Sequence, residues 1–221
     1  MSKRYWGVLM TYICFVFSVL YVVAPILING FGIPKENAFL YGKLIGSILT
    51  TIIILFLLNP DIKKGVSKDA LPFKKSIKWI IIGFFMIIVA QIIVGLIETY
   101  IFNTNPVSER SQSKTDILDT LSPIMLLINL VTTIIFAPLF EEVMCRKIIF
   151  GTLYTKTNFF IASLVSSIAF AVPHMDFKHL LSYIATGFVL SFVYVKTKRI
   201  IVSIITHSFV NAFVFLGALL Q

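Results

Sequence analysis

Residues 121–150 read Leu-Ser-Pro-Ile-Met-Leu-Leu-Ile-Asn-Leu-Val-Thr-Thr-Ile-Ile-Phe-Ala-Pro-Leu-Phe-Glu-Glu-Val-Met-Cys-Arg-Lys-Ile-Ile-Phe. No charge interrupts the run before Phe140, and an apolar helix of about 20 residues, rising about 1.5 Å per residue, crosses a hydrocarbon core of about 30 Å. Glu141, Glu142 and Arg146 then follow at once. An ionisable side chain at membrane depth costs roughly 2.5 kcal/mol or more on insertion scales. A span that delivers three such groups to its end predicts a polar site enclosed by membrane helices.

The same length rule, applied outward, gives spans near Trp6–Ile28, Phe39–Leu58, Ile77–Phe102, Leu121–Phe140, Phe159–Val172, Leu180–Val195 and Ile200–Leu220. The fifth is short, at about 14 residues against a usual minimum of about 17; it either extends back past Thr157 or is tilted and shielded by protein. Composition agrees: 58% of residues are hydrophobic and 13% charged, where a soluble domain carries about a quarter charged. The expected fold class is all-α, a polytopic transmembrane helix bundle of about seven spans. It forms one integral membrane domain, with residues 1–120 supplying N-terminal helices and loops and residues 121–221 the helices that carry the site. No internal repeat is visible. The polar intramembrane residues gather in the C-terminal half, which argues against an inverted-repeat transporter.

The formal net charge of +9 does not point to nucleic acid, because the basic residues sit in short connections between apolar runs. Lys3 and Arg4, then Lys63 to Lys78, then Arg146, Lys147 and Lys156, then Lys196, Lys198 and Arg199 fall on one side. The positive-inside rule places that side, and the N-terminus, in the cytoplasm of a cell membrane. An odd number of spans places Gln221 outside. The first apolar stretch is too long for a cleaved leader and reads as a retained helix. Asn103–Thr120 is polar, with turn signals, and reads as an exposed loop. Cys14 and Cys145 lie in or beside apolar runs and read as small buried side chains, with no disulfide. Richness in Ile, Phe, Lys and Asn suits a low-GC bacterial source.

Three motifs carry the chemistry. In the first, Glu142 and Arg146 are i and i+4 and can pair on one helix face, while Glu141 points about 100° away, toward a different neighbour. One carboxylate is then held by the arginine and the other can serve as a general base. Taken alone, Glu142–Arg146 reads equally well as a structural ion pair. Pro138 upstream is expected to bend the helix. In the second, His174 follows Pro173 and stands one turn after Phe170. His179, nearby, reads as a capping or interfacial histidine. In the third, His207 and Asn211 share a face of the last span. An imidazole can donate, accept or bind metal, and an amide can donate to an oxyanion. Taken alone, that pair reads as a helix–helix hydrogen bond of about 0.6 kcal/mol.

Together these motifs resemble the CPBP family of intramembrane proteases, named for CAAX and bacteriocin processing and also called Abi. The family pattern is Glu-Glu-x-x-x-Arg, Phe-x-x-x-His and His-x-x-x-Asn on three successive helices. Glu141, Glu142 and Arg146, then Phe170 and His174, then His207 and Asn211 match every defined position. The resemblance covers about the last third of the chain, from Pro138 onward. It implies an endopeptidase acting on a membrane-associated or lipidated peptide: a CAAX-type, bacteriocin or signalling-peptide precursor. The implied catalytic residues are Glu141 and His174, activating water, with His207 and Asn211 stabilising the oxyanion. Glu142, Arg146 and Phe170 would support them. A carboxylate with two imidazoles is also a recognised zinc set, so Glu141, His174 and His207 are the ligands if zinc is used. No His-Glu-x-x-His helix is present, which favours a metal-free reading.

A non-proteolytic bacteriocin-immunity protein or membrane scaffold is the alternative, and a proton translocator a third. The implied partners are a peptide substrate and membrane lipid. The sequence leaves substrate identity and oligomeric state open.

Overall fold

The computed structural model describes residues 1–102 and 121–220. Every regular element among them is helical. We number seven helices: α1 (Lys3–Phe31), α2 (Lys35–Lys64), α3 (Phe73–Phe102), α4 (Pro123–Tyr154), α5 (Phe159–His174), α6 (Leu180–Thr197) and α7 (Ile200–Leu219). Six are long and apolar enough to cross a membrane, α6 being counted with its leading turn from Phe177, and α5 is the shorter apolar helix. The expected bundle of about seven helices is therefore the fold. The expected loop Asn103–Thr120 lies outside the described residues.

The chain divides into two compact units, Met1–Gly65 with Leu121–Phe140, and Val66–Thr120 with Glu141–Gln221. In the first, Leu40 of α2 packs with Met125 and Ile128 of α4. Tyr12 and Phe15 of α1 meet the ring of Phe140, at centroid distances of 6.2 and 5.8 Å. Pro25 and Pro138 each lie just past a π-helical turn, Val19–Val23 and Thr132–Phe136. A helical proline lacks an N–H and crowds the carbonyl four residues back, and a widened turn relieves both.

Two expectations about α4 and the cysteines need correcting. The fourth span does not end at Phe140, because the helix continues to Tyr154 with a second π-helical stretch, Val143–Phe150. Arg146 is thus not in a basic connection but inside a helix, with no exposed surface. Its charge is answered one turn earlier by Glu142, so the segment can stay buried. Cys145 is buried as expected, but Cys14 lies on an exposed face of α1. A small thiol on a membrane helix can face lipid as readily as protein.

In the second unit α3, α6 and α7 interlock through two clusters: Ile80, Val193 and Val202, then Ile87, Leu190 and Val210. Helices α5 and α6 approach through small residues. A Cβ on Gly187 would stand 2.9 Å from the Ser167 Cα, and Ser163, Ser166 and Ser191 are fully buried alongside. Lipid gives apolar helices no hydrophobic reason to associate, so close backbone approach at small residues supplies the packing. α5 begins where the side-chain Oδ1 of Asn158 accepts from Ile161 N–H at 3.0 Å, satisfying an orphan donor. It ends in a 3₁₀ turn, Val172–His174, containing Pro173, and Met175 takes a left-handed φ of 53°. That ending sets the position of His174.

Candidate active site

Glu142 and Arg146 are both fully buried, with Oε2 and Nε 3.2 Å apart. Arg146 also donates from Nη2 to the Gly187 carbonyl at 3.5 Å, and its guanidinium carbon lies 4.7 Å from the centre of the Phe170 ring. The arginine thus ties α4 to α5 and α6 with one charge. Burial of an ion pair is expensive unless hydrogen bonds and polarisable neighbours share the cost, and Phe170 offers its negative ring face to the cation.

Glu142 has a second partner. The Nδ1–H of His207 donates to its Oε1 at 3.0 Å. On the other side of the same imidazole, Nε2 lies 3.7 Å from Oε2 of Glu141. Adjacent glutamates were expected to face different neighbours; instead they converge on opposite nitrogens of one histidine. Glu142 is sealed from exposure, whereas the Glu141 side chain keeps 14% of its surface open. The carboxylate that pairs with arginine is the inaccessible one.

His174 is built differently. Its Nδ1–H donates to the Phe170 carbonyl at 2.9 Å, one of the carbonyls left without an intrahelical partner at a helix end. A carbonyl only accepts, so neutral His174 carries its proton on Nδ1 and its lone pair on Nε2. The ring is held between Phe170 and Tyr183, at centroid distances of 5.0 and 4.1 Å. Phe170 also meets the His207 ring edge-on at 5.5 Å. One phenylalanine therefore touches both histidines and the arginine. Asn211 is half-buried on α7, one turn beyond His207.

Glu141, Glu142, Arg146, Phe170 and His207 come together, and His174 also meets Phe170. The suggested zinc set of Glu141, His174 and His207 does not assemble. Among the described residues no three His, Cys, Asp or Glu side chains are grouped to hold a metal ion.

Sequence reasoning missed Glu98 on α3, which is 1% exposed. It accepts from Ser182 N–H at 3.2 Å and from Ser182 Oγ–H at 3.1 Å. His179 stands at the N-cap position of α6, without a side-chain cap bond, and is 6% exposed, with Nδ1 3.6 Å from Oε2 of Glu98. The available signal was the rule that flagged Glu141, since a carboxylate in a long apolar run demands a partner.

Comparison with known proteins gives the family. Residues 123–213 match the family model described as type II CAAX prenyl endopeptidase Rce1-like. The chain is 38% identical over 223 residues to YdiL of Bacillus subtilis (strain 168), a candidate membrane peptidase by name, covering 97% of this chain and 88% of YdiL. It is 34% identical over 230 residues to the membrane-embedded CAAX protease MroQ of Staphylococcus aureus (strain USA300), covering 99% and 91%. No solved structure matches the chain.

Proposed function

Because the chain belongs to the CPBP family of membrane proteases, the Rce1-like CAAX endopeptidases, we propose that it is a multi-pass intramembrane endopeptidase in which Glu141 and His174 activate the attacking water. The observation that carries this reading is the division of labour between adjacent glutamates. Glu142 is buried on Arg146 and His207, and the partly exposed Glu141 faces the same imidazole.

Water bound at Glu141 gives its proton to the carboxylate as its oxygen bonds to the scissile carbonyl carbon. His174 is the second group assigned to that water, on the family pattern it matches. Asn211 donates to the oxygen that becomes negative, and the Nε2–H of His207 donates to it from the doubly protonated ring, whose Nδ1–H stays on Glu142. Preorganised donors of this kind contribute about 10²–10³ in rate each. When the tetrahedral intermediate collapses the C–N bond breaks, and the proton held by Glu141 passes to the leaving amine. No step is routed through a metal.

The substrate class is a membrane-associated or lipidated peptide. MroQ is named as a CAAX protease, and the family description names prenyl endopeptidases. With the basic connections inside, the substrate enters from the cytoplasmic side or that leaflet. The test incubates the purified full-length protein in detergent with a farnesylated CAAX peptide and its unlipidated counterpart, and identifies products by mass spectrometry. The wild type cleaves, and Glu141→Ala and His207→Ala do not. Cleavage at the wild-type rate in both variants contradicts the mechanism. Bacteriocin resistance that persists in Glu141→Ala, with the variant in the membrane, favours the non-proteolytic alternative.

A further inference from the structure

Helix α6 has no side chain of its own capping its N-terminus, yet that end is buried. The cap comes from α3. Glu98 accepts from the backbone N–H and the hydroxyl of Ser182, the third residue of α6, at 3.2 and 3.1 Å. Two turns earlier on α3, Gln91 donates from Nε2 to the Ser182 carbonyl at 3.1 Å and to Thr186 Oγ1 at 2.7 Å. A carboxylate at a helix N-terminus satisfies orphan donors and matches the positive end of the helix dipole. It is also a costly choice in an otherwise apolar helix. Two polar residues spent on one helix end fix the axial position of α6 against α3.

A second set of contacts runs from that end to the site. His179, just before α6, places Nδ1 3.6 Å from Glu98 Oε2 and Nε2 4.0 Å from Asp176 Oδ2. The Tyr183 hydroxyl, one residue past Ser182, donates to the same Asp176 oxygen at 3.4 Å. The Tyr183 ring then lies against His174 at 4.1 Å. Asp176 and His179 belong to the short 172–179 segment that also carries His174. Each residue between Glu98 and His174 therefore has a partner on both sides.

We infer that Glu98 is a positioning residue for the reaction, acting through His179, Asp176 and Tyr183 to hold the His174 ring. The inference rests on His174 being catalytic, as proposed above. Misplacing a catalytic group by about 1 Å costs on the order of 10²-fold in rate, so a remote cap can matter to chemistry.

The chain has three histidines, so a histidine-labelled NMR spectrum of the full-length protein in detergent is resolvable, each signal being assigned by its own alanine variant. In Glu98→Gln, which keeps side-chain volume and an acceptor for Ser182, the His179 and His174 signals move and the His207 signal stays. Glu98→Asp, which restores the carboxylate, returns them toward wild type. With the farnesylated CAAX peptide, Glu98→Gln lowers kcat, counted per folded protein, about 10- to 100-fold with KM within about twofold and with a melting temperature well above that of the assay, so that loss of folded enzyme does not account for the change. An unmoved His174 signal in Glu98→Gln overturns the inference. That spectrum is read without any substrate, so failure of the protease reading shows instead as wild-type cleavage in His174→Ala.

Discussion

The His207 Nδ1–H donates to Oε1 of Glu142 at 3.0 Å, while Oε2 of the same carboxylate meets Arg146 Nε at 3.2 Å. Glu142 therefore serves two helices at once: it neutralises a buried arginine on its own and orients an imidazole on α7. An oriented imidazole presents Nε2 in one direction, toward Glu141. Support and chemistry are joined at a single residue.

Removing either partner of a buried ion pair leaves an uncompensated charge and costs about 3–5 kcal/mol. Glu142→Ala and Arg146→Ala are each expected to lower thermal stability in detergent by that order. The double variant Glu142→Gln/Arg146→Met should be more stable than either single one. Equal stability of the single variants and wild type would show that the pair carries no such constraint.

The proposed role of Asn211 is to donate to the developing oxyanion. Asn211→Ala is expected to lower kcat about 10²–10³-fold, with KM and melting temperature little changed. A rise in KM at constant kcat would assign it to substrate binding instead.

Glycine at 187 is required by approach, since its helical backbone is ordinary and a Cβ would meet the Ser167 backbone. Gly187→Ala should separate α5 from α6 and cost about 1–3 kcal/mol. Combining it with Ser167→Gly should recover part of the loss. A melting curve for each variant decides it.

No three donors are grouped to hold a metal among the described residues. On the proposed reading, in which Glu141 and His174 activate water, cleavage is expected to survive dialysis against EDTA and 1,10-phenanthroline at an unchanged rate. Loss of activity with chelator, restored by zinc, would show that the donors rearrange around a metal.

The bundle was legible because apolar length is a strong signal and the membrane admits few alternatives. The three motifs named residues that the structure brings together, Glu141, Glu142, Arg146, Phe170 and His207, since i, i+4 spacing survives a modest change of helical pitch. The sequence did not show that Glu141 and Glu142 converge on one imidazole. That depends on where α7 lies against the π-helical stretch of α4, a tertiary relation with no local signature. The end of α4 was placed too early for a related reason: hydropathy reads Arg146 as an exit from the membrane, and only its buried partners allow it to stay. The contact of His179 with Glu98 was not legible because Glu98 lies on α3, far off in sequence.

The central claim is that Glu141 acts on water and not on the fold or on binding. Glu141→Gln keeps the side chain's size and removes the base. Its cleavage rate and its affinity for the same farnesylated CAAX peptide, measured side by side with wild type, test the claim most directly. The account predicts cleavage reduced by about 10²-fold or more with binding within about twofold. Cleavage by Glu141→Gln at the wild-type rate would contradict it.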